Sequence, residues 1–419
     1  MSDTADHNRL GSFWRDSLLL FLALRAADAI NLYVAFALVP RHVAPAELGG
    51  VLPLVSFATL LSLPLFALAM AVMRESSVLC ALGEYGRLKS LLVGVFAAVG
   101  AFGVAAILLG SLLLPRALGA LRIASSTGGT LAVISAFLGC LAPVYTDALQ
   151  ALKRFGRLWI VEIAGAALRG CFLAVVMPCA PVAGYFAGQC LPPLVRIAGG
   201  TLALGQVWRE PVRNWWTPDA CRRLLGTFLL LLAYLGAPML AGTAEQWALR
   251  TQCGDYESAG YYLLTRLSDL PNLVALPLLL VIFPYTARAA ERGGNALAYT
   301  RRAVVATFAA AATCAVAFVP YGRQLLALLP NGGLYTDLAP VLPMLAVSAG
   351  FAAGQTLYTN TAASAGRFGF LSWFAPLNLG YAAILHCGVA EGAGIFGMAA
   401  VILLVSAVRF AFARFAIML

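Results

Sequence analysis

Charge is what this sequence has least of. Only 11% of its 419 residues are Asp, Glu, Lys or Arg, while 61% are hydrophobic. Soluble globular chains carry about 25% charged and about 45–50% apolar residues. A soluble fold of this length has nowhere to hide so much apolar surface, so lipid is the expected solvent for most of it. Histidine is scarce: His7, His42 and His386 stand far apart, which excludes a histidine metal cluster or a nucleophile–base pair. The nine cysteines form no C-x-x-C pair, so zinc-site and redox-motif readings fall away, and they read as small buried hydrophobes. No Walker lysine loop is present, which argues against ATP-driven pumping by this chain alone. Alternating segments of about ten residues, the mark of a membrane barrel, are missing too. The first apolar segment is too long for a signal-peptide core and lacks an A-x-A-like exit, so it reads as a retained span. No cofactor or metal is expected, and no enzymatic activity.

What the chain does have is long apolar runs. Crossing about 30 Å of hydrocarbon takes about 20 apolar residues in a helix. Twelve runs reach roughly that length: Ser17–Val39, Gly50–Met73, Ser90–Leu113, Thr130–Ala151, Leu158–Met177, Val182–Val207, Leu224–Thr243, Ala259–Pro284, Thr300–Pro320, Leu338–Tyr358, Gly369–Gly388 and Gly392–Phe412. They predict an all-α polytopic membrane protein with about twelve transmembrane helices. Of the 28 Lys and Arg residues, 19 fall on the side of the chain termini, including Arg9, Arg15, Arg209, Arg213, Arg222, Arg223, Arg409 and Arg414. Five fall on the other side (Arg41, Arg116, Arg122, Arg250 and Arg323), and four fall inside spans. The positive-inside rule then puts both termini in the cytoplasm. It also accounts for the net charge of +10 without nucleic acid as a partner.

The chain repeats itself. Tyr145-Thr146-Asp147 recurs as Tyr358-Thr359-Asn360, and Arg154-Phe155-Gly156 as Arg367-Phe368-Gly369, both at an offset of 213 residues. Leu113-Leu114-Pro115 recurs as Leu328-Leu329-Pro330 at 215, and Glu47 with Gly50 as Glu257 with Gly260 at 210. Six spans separate the copies, so the two share one orientation. The expected organisation is a parallel internal repeat of two six-helix lobes, an arrangement typical of secondary transporters. The lobes would be residues 1–207 and 224–419, joined by a cytoplasmic linker, 208–223. That linker carries Pro211, Pro218 and the Trp215-Trp216 pair, and an amphipathic interfacial stretch is expected there.

Four segments resemble a known family. Arg41 to Gly49, with Pro45, Glu47 and Gly49, resembles the R-x-x-G-P-x-x-x-G region of polysaccharide flippases, although His42-Val43-Ala44 stands where that family usually has Leu-Leu-Gly. The segment Leu149 to Gly156 resembles their L-Q-G-x-x-R-F cytoplasmic turn. Ala259-Gly260-Tyr261-Tyr262 resembles their A-G-Y-Y segment, and Phe283-Pro284 their F-P exit. The family is that of Wzx-type O-antigen and exopolysaccharide flippases, within the multidrug/oligosaccharidyl-lipid/polysaccharide exporter superfamily. The resemblance implies two six-helix lobes around a central cavity that opens alternately to either side of a bacterial inner membrane. It implies an undecaprenyl-pyrophosphate-linked oligosaccharide as cargo, proton or sodium coupling, and a polysaccharide polymerase and assembly proteins as partners besides the membrane lipids.

Ionisable side chains inside a bilayer are costly, by at least about 2.5–3.5 kcal/mol at a helix centre, and mark a polar cavity or each other. Two spans carry the same stripe, R-x-x-D-x-x-N: Arg25, Asp28 and Asn31 in the first, Arg266, Asp269 and Asn272 in the eighth. Each triple runs along one side of a helix, and at about 1.5 Å per residue both aspartates lie near the midplane. Guanidinium grips phosphate oxygens in a bidentate fork, so Arg25 and Arg266 are the expected pyrophosphate ligands. The aspartates would hold them in the absence of cargo or exchange a proton or cation, and the asparagines would bond sugar hydroxyls. The resemblance adds that arginines on the first and eighth helices of lipid II flippases line the cavity. The competing reading is a pair of i,i+3 salt bridges that merely neutralise themselves. Asp147, Glu162, Arg169 and Arg196 are further candidates for the cavity or a gate, with a structural pair of Glu162 with Arg169 or Arg196 as the plainer reading. Glu245, just past the seventh apolar run, reads as solvated.

The expected function is a flippase working by alternating access. A multidrug or toxin extruder of the same superfamily is the alternative, but four arginines inside spans suit an anionic cargo better than an organic cation. A membrane polysaccharide polymerase or ligase is a third reading. It would need a sizeable outer loop to hold the sugar chain, and the longest such connection is only about 15–17 residues, by spans set from hydrophobic length.

Overall fold

A computed structural model of the chain describes residues 25–123, 125–151, 155–272, 296–364, 368–387 and 394–418. Arg9, Arg15, Lys153, Arg154, Pro277, Phe283, Pro284, Arg288, Arg292 and Arg367 lie outside the described residues, as do the side chains of Asp147 and Gln150. Among the described residues the backbone is helical almost throughout and contains no strand. The first six long helices are α1 (25–42), α2 (Pro45–Ala81), α3 (Tyr85–Leu121), α4 (Ser126–Ala151), α5 (Phe155–Val176) and α6 (Pro181–Ala203). A short α7 (Gly205–Arg209) follows. The second six are α8 (Pro218–Ala248), α9 (Asp255–Ser268), α10 (Ala296–Ala327), α11 (Leu342–Ser364), α12 (Leu371–His386) and α13 (Gly394–Met418).

Among the described residues, eight helices are long and apolar enough to cross a membrane, and the protein is an all-α polytopic membrane protein. Leu112 and Leu202 are 76% and 81% exposed. Surfaces of that kind are covered by lipid tails. Several helices outrun their apolar cores. The α2 and α3 helices are each 37 residues long, because polar ends stay helical where the headgroup region satisfies their backbone groups. The tenth span differs in kind: a 3-10 segment, Gly332–Val341, leads into α11.

The chain divides into two compact units. One holds the described residues up to His42 together with Leu54–Gly236, and the other holds Val43–Pro53 and the chain from Ala237 onward. The division falls inside two helices, α2 and α8. In the first unit α4 packs on both α6 and α3, and in the second α11 packs on both α13 and α10. These are the same partnerships in the two halves, as a parallel repeat requires. The repeat-related tyrosines show it in detail. Tyr145 stacks on Phe96 of α3 at 4.6 Å and fills the space over Gly200 of α6. Tyr358 lies against Phe410 of α13 at 5.8 Å, beside the Phe308–Phe410 pair that joins α10 to α13. Without a hydrophobic force between helices in lipid, such close packing over small residues is what holds them together.

The first helix of each half contains a π-turn near its far end. Within α1 the chain forms a π-turn at Val34–Leu38, and α8 runs into one at Leu249–Cys253. The second leads to Gly254 at φ 91°, ψ −179°, a conformation open chiefly to glycine, which turns the chain directly into α9.

Candidate functional site

The first stripe lies on the continuous helix α1. Arg25 Nη2 is 3.0 Å from Asp28 Oδ2, and the two side chains are 21% and 29% exposed. Asn31, one turn further, accepts a 2.5 Å hydrogen bond from Arg169 Nη1 of α5. Arg169 is buried, and its guanidinium lies 5.9 Å from the centre of the Tyr185 ring of α6. The structure thus joins Asn31 to Arg169, a pairing that no sequence spacing indicated. Glu162 takes the other cation: Arg196 Nη2 donates to its Oε2 at 2.6 Å, with Arg196 34% and Glu162 11% exposed. The choice left open between Arg169 and Arg196 therefore falls on Arg196. Asp147 lies near the end of α4.

The second stripe is the same in sequence and different in structure. Helix α9 stops at Ser268, and Asp269 is its C-cap, its N–H bonded to Thr265 O at 2.9 Å. The cause is Pro271, which has no N–H and whose ring opposes the carbonyl four residues back. Arg266 remains on the last helical turn, its guanidinium 5.5 Å from the centre of the Tyr262 ring. Asn272 donates to Asp269 Oδ1 at 3.3 Å. Asp269 is exposed, whereas Asp28 is partly buried.

A polar cluster that sequence reasoning missed lies in the second unit. Glu245 does not follow the seventh span; α8 continues through it to Ala248. Its Oε1 accepts from the Tyr261 hydroxyl of α9 at 2.5 Å, and its Oε2 from the Tyr381 hydroxyl of α12 at 3.1 Å. Both tyrosines are buried. The Arg409 guanidinium of α13 lies 4.7 Å from the centre of the Tyr381 ring and within electrostatic reach of Glu245. The expectation of a solvated Glu245 is therefore corrected, and Arg409, counted from the sequence among the charges on the side of the termini, lies against this cluster. The apolar run was interrupted by one carboxylate, not ended by it, since Trp247-Ala248-Leu249 follows. Arg250, expected on an outer connection, is buried within the π-turn and paired with Asp255 at 3.0 Å. Among the described residues no group of His, Cys, Asp and Glu is arranged to hold a metal ion.

No protein-family profile matches the chain, and no curated protein sequence matches it. Solved structures do. An inward-facing multidrug resistance MATE family transporter of the MOP superfamily is 15% identical, with a TM-score of 0.69 over 95% of this chain and 94% of that one. The lipid II flippase MurJ, in an inward closed conformation, is 12% identical, with a TM-score of 0.68 over 96% of this chain and 88% of that one. A mutant of the Vibrio cholerae MATE transporter VcmN is 15% identical, with a TM-score of 0.65 over 98% and 96%. The chain therefore has the fold that these MATE transporters and the lipid II flippase share.

Proposed function

We propose that this protein is a flippase that carries an undecaprenyl-pyrophosphate-linked oligosaccharide across a bacterial inner membrane by alternating access. The proposed organisation is two six-helix lobes, 1–207 and 224–419, joined by a cytoplasmic linker, 208–223, with both termini cytoplasmic. A proton or sodium gradient drives it, and a polysaccharide polymerase and assembly proteins receive the product.

The observation that carries this reading is Arg25: a guanidinium inside an apolar run, 21% exposed, with its counter-charge Asp28 only 3.0 Å away on the same helix. A cation so held is neutralised while idle, yet still reachable by a diphosphate that binds it more strongly. Arg266, partly buried over Tyr262, offers the same group from the second unit. Asn272, and Asn31 where Arg169 leaves it free valence, serve sugar hydroxyls. Asp28 and Asp269 take the arginines when cargo leaves. Glu162 with Arg196, Arg169 and Asp147 are the proposed cavity or gate residues. A lipid II flippase among the solved structures with this fold supports a lipid-borne cargo.

The MATE transporters of the same fold favour a second reading, multidrug extrusion. One experiment separates the two. Proteoliposomes are loaded with a pyrophosphate-linked oligosaccharide lipid, and flipping is compared for wild type, Arg25→Ala and Arg266→Ala. Wild-type flipping that both folded variants lose is the expected result. Normal flipping by the variants refutes the site. A wild type that leaves the lipid in place and exports organic cations establishes the extruder.

A further inference from the structure

The connection between α6 and α8 is a fixed strap within the first unit. After α7 it runs along the start of α3. The Lys89 ammonium donates to Trp208 O at 2.7 Å and Glu210 O at 2.9 Å. The Arg213 N–H donates to Gly86 O at 3.1 Å, and the Trp216 indole N–H donates to Ser90 O at 3.2 Å. Trp215 is buried, edge-on to Trp216 at 5.1 Å. Gly94 makes the seat: a Cβ there would lie 2.1 Å from the Trp216 indole.

Fixing the strap in this way leaves one kind of surface outward. Arg209, Arg213, Arg222 and Arg223 are all exposed, and none has an ion-pair partner among the described residues. Between them Val212 is 63% and Trp216 38% exposed. The acidic neighbours are few: Glu210 is partly buried, Asp219 is exposed, and Glu84 is engaged by Arg87. Cations alternating with an exposed valine and tryptophan, where the chain passes from one span to the next, make up an interfacial surface. A soluble polyanion would use the cations and leave Val212 and Trp216 in water.

We infer that the strap is a binding surface for the headgroups of anionic phospholipids in the adjoining leaflet. The four guanidiniums take phosphate oxygens, and Trp216 and Val212 rest at the acyl boundary. The surface is separate from the arginines assigned to cargo and does not depend on what the protein transports.

The test uses the full chain in nanodiscs of equal parts phosphatidylcholine and phosphatidylglycerol. Lipids retained by the protein are counted by native mass spectrometry. Quenching of Trp216 by brominated phosphatidylglycerol or brominated phosphatidylcholine is read as the difference between wild type and Trp216→Phe. An arginine near an anionic surface is worth roughly a fivefold preference. Replacing Arg209, Arg213, Arg222 and Arg223 together by Gln should therefore lower the preference for phosphatidylglycerol by at least about tenfold. The corresponding fourfold Lys variant should keep the preference, and high salt should suppress it in the wild type. Equal quenching of wild-type Trp216 by the two brominated lipids overturns the inference, and that contrast needs no arginine variant to fold. An undiminished preference in the Gln variant overturns it as well. Binding of inositol hexakisphosphate at the strap in pure phosphatidylcholine discs, lost in the Gln variant, also overturns it, because the surface would then be a soluble-anion site.

Discussion

Replacing Tyr381 by Phe takes a single oxygen away from the cluster around Glu245. The ring stays beneath the Arg409 guanidinium, at 4.7 Å, so the cation–π contact survives. What is lost is the 3.1 Å hydrogen bond to Glu245 Oε2. A hydrogen bond to a charged group contributes about 1.5–3 kcal/mol, and about 2 kcal/mol applies here because Tyr381 is buried and Glu245 partly so. The Glu245→Gln change keeps the shape and the Tyr261 contact. It removes the charge that Arg409 faces, whose Nε and Nη2 are buried without a hydrogen-bond partner among the described residues. Leaving a buried charge uncompensated costs about 3–5 kcal/mol. Once Gln is in place, the Tyr381 hydroxyl makes only a neutral contact of about 0.5–1.5 kcal/mol. The two changes should therefore couple by roughly 1 kcal/mol. Thermal unfolding of wild type, both single variants and the double variant in nanodiscs completes the cycle. Additivity within about 0.5 kcal/mol would show that the phenol does not hold a charged carboxylate, and the account of this cluster would be wrong.

Three other outcomes are expected. Arg169→Met removes the donor to Asn31 and the cation over Tyr185, and should destabilise the first unit by about 1.5–3 kcal/mol; Arg169→Lys, without the fork, should recover only part of it in the same unfolding assay. Glu162→Gln should cost little, about 1 kcal/mol, because Arg196 is 34% exposed and rehydrates, and the flipping rate then reports whether the pair is a gate or only a brace. Gly94→Ala should unseat Trp216, whose indole lies 2.1 Å from the added carbon, and iodide quenching of its fluorescence should rise.

The helices were legible because lipid imposes one length and one polarity on each run. The repeat was legible because its motifs recur at nearly constant offset, and Tyr145 and Tyr358 indeed occupy matching places. The ends of the helices were not: α8 continues past Thr243 to Ala248, although one carboxylate inside an apolar stretch resembles a boundary. Nor were the partners. Glu245 meets Tyr381 136 residues away, and Arg169 meets Asn31 138 away, and hydrophobic periodicity carries no record of such pairs. The second stripe misled in another way. Its spacing matches the first, yet Pro271 ends the regular helix before Asp269 and Asn272 are reached. A signal for the Glu245 cluster was present in the apolar Trp247-Ala248-Leu249 that follows it.

The two π-turns bear on where the long helices can give. A π-turn arises when an α-helix accommodates one surplus residue, and among the described residues each half has one, in the helix that opens it. A π-turn is one of the few places where a long helix bends sharply. The helix that opens each half therefore carries a built-in bending point shortly before the chain passes into the next helix.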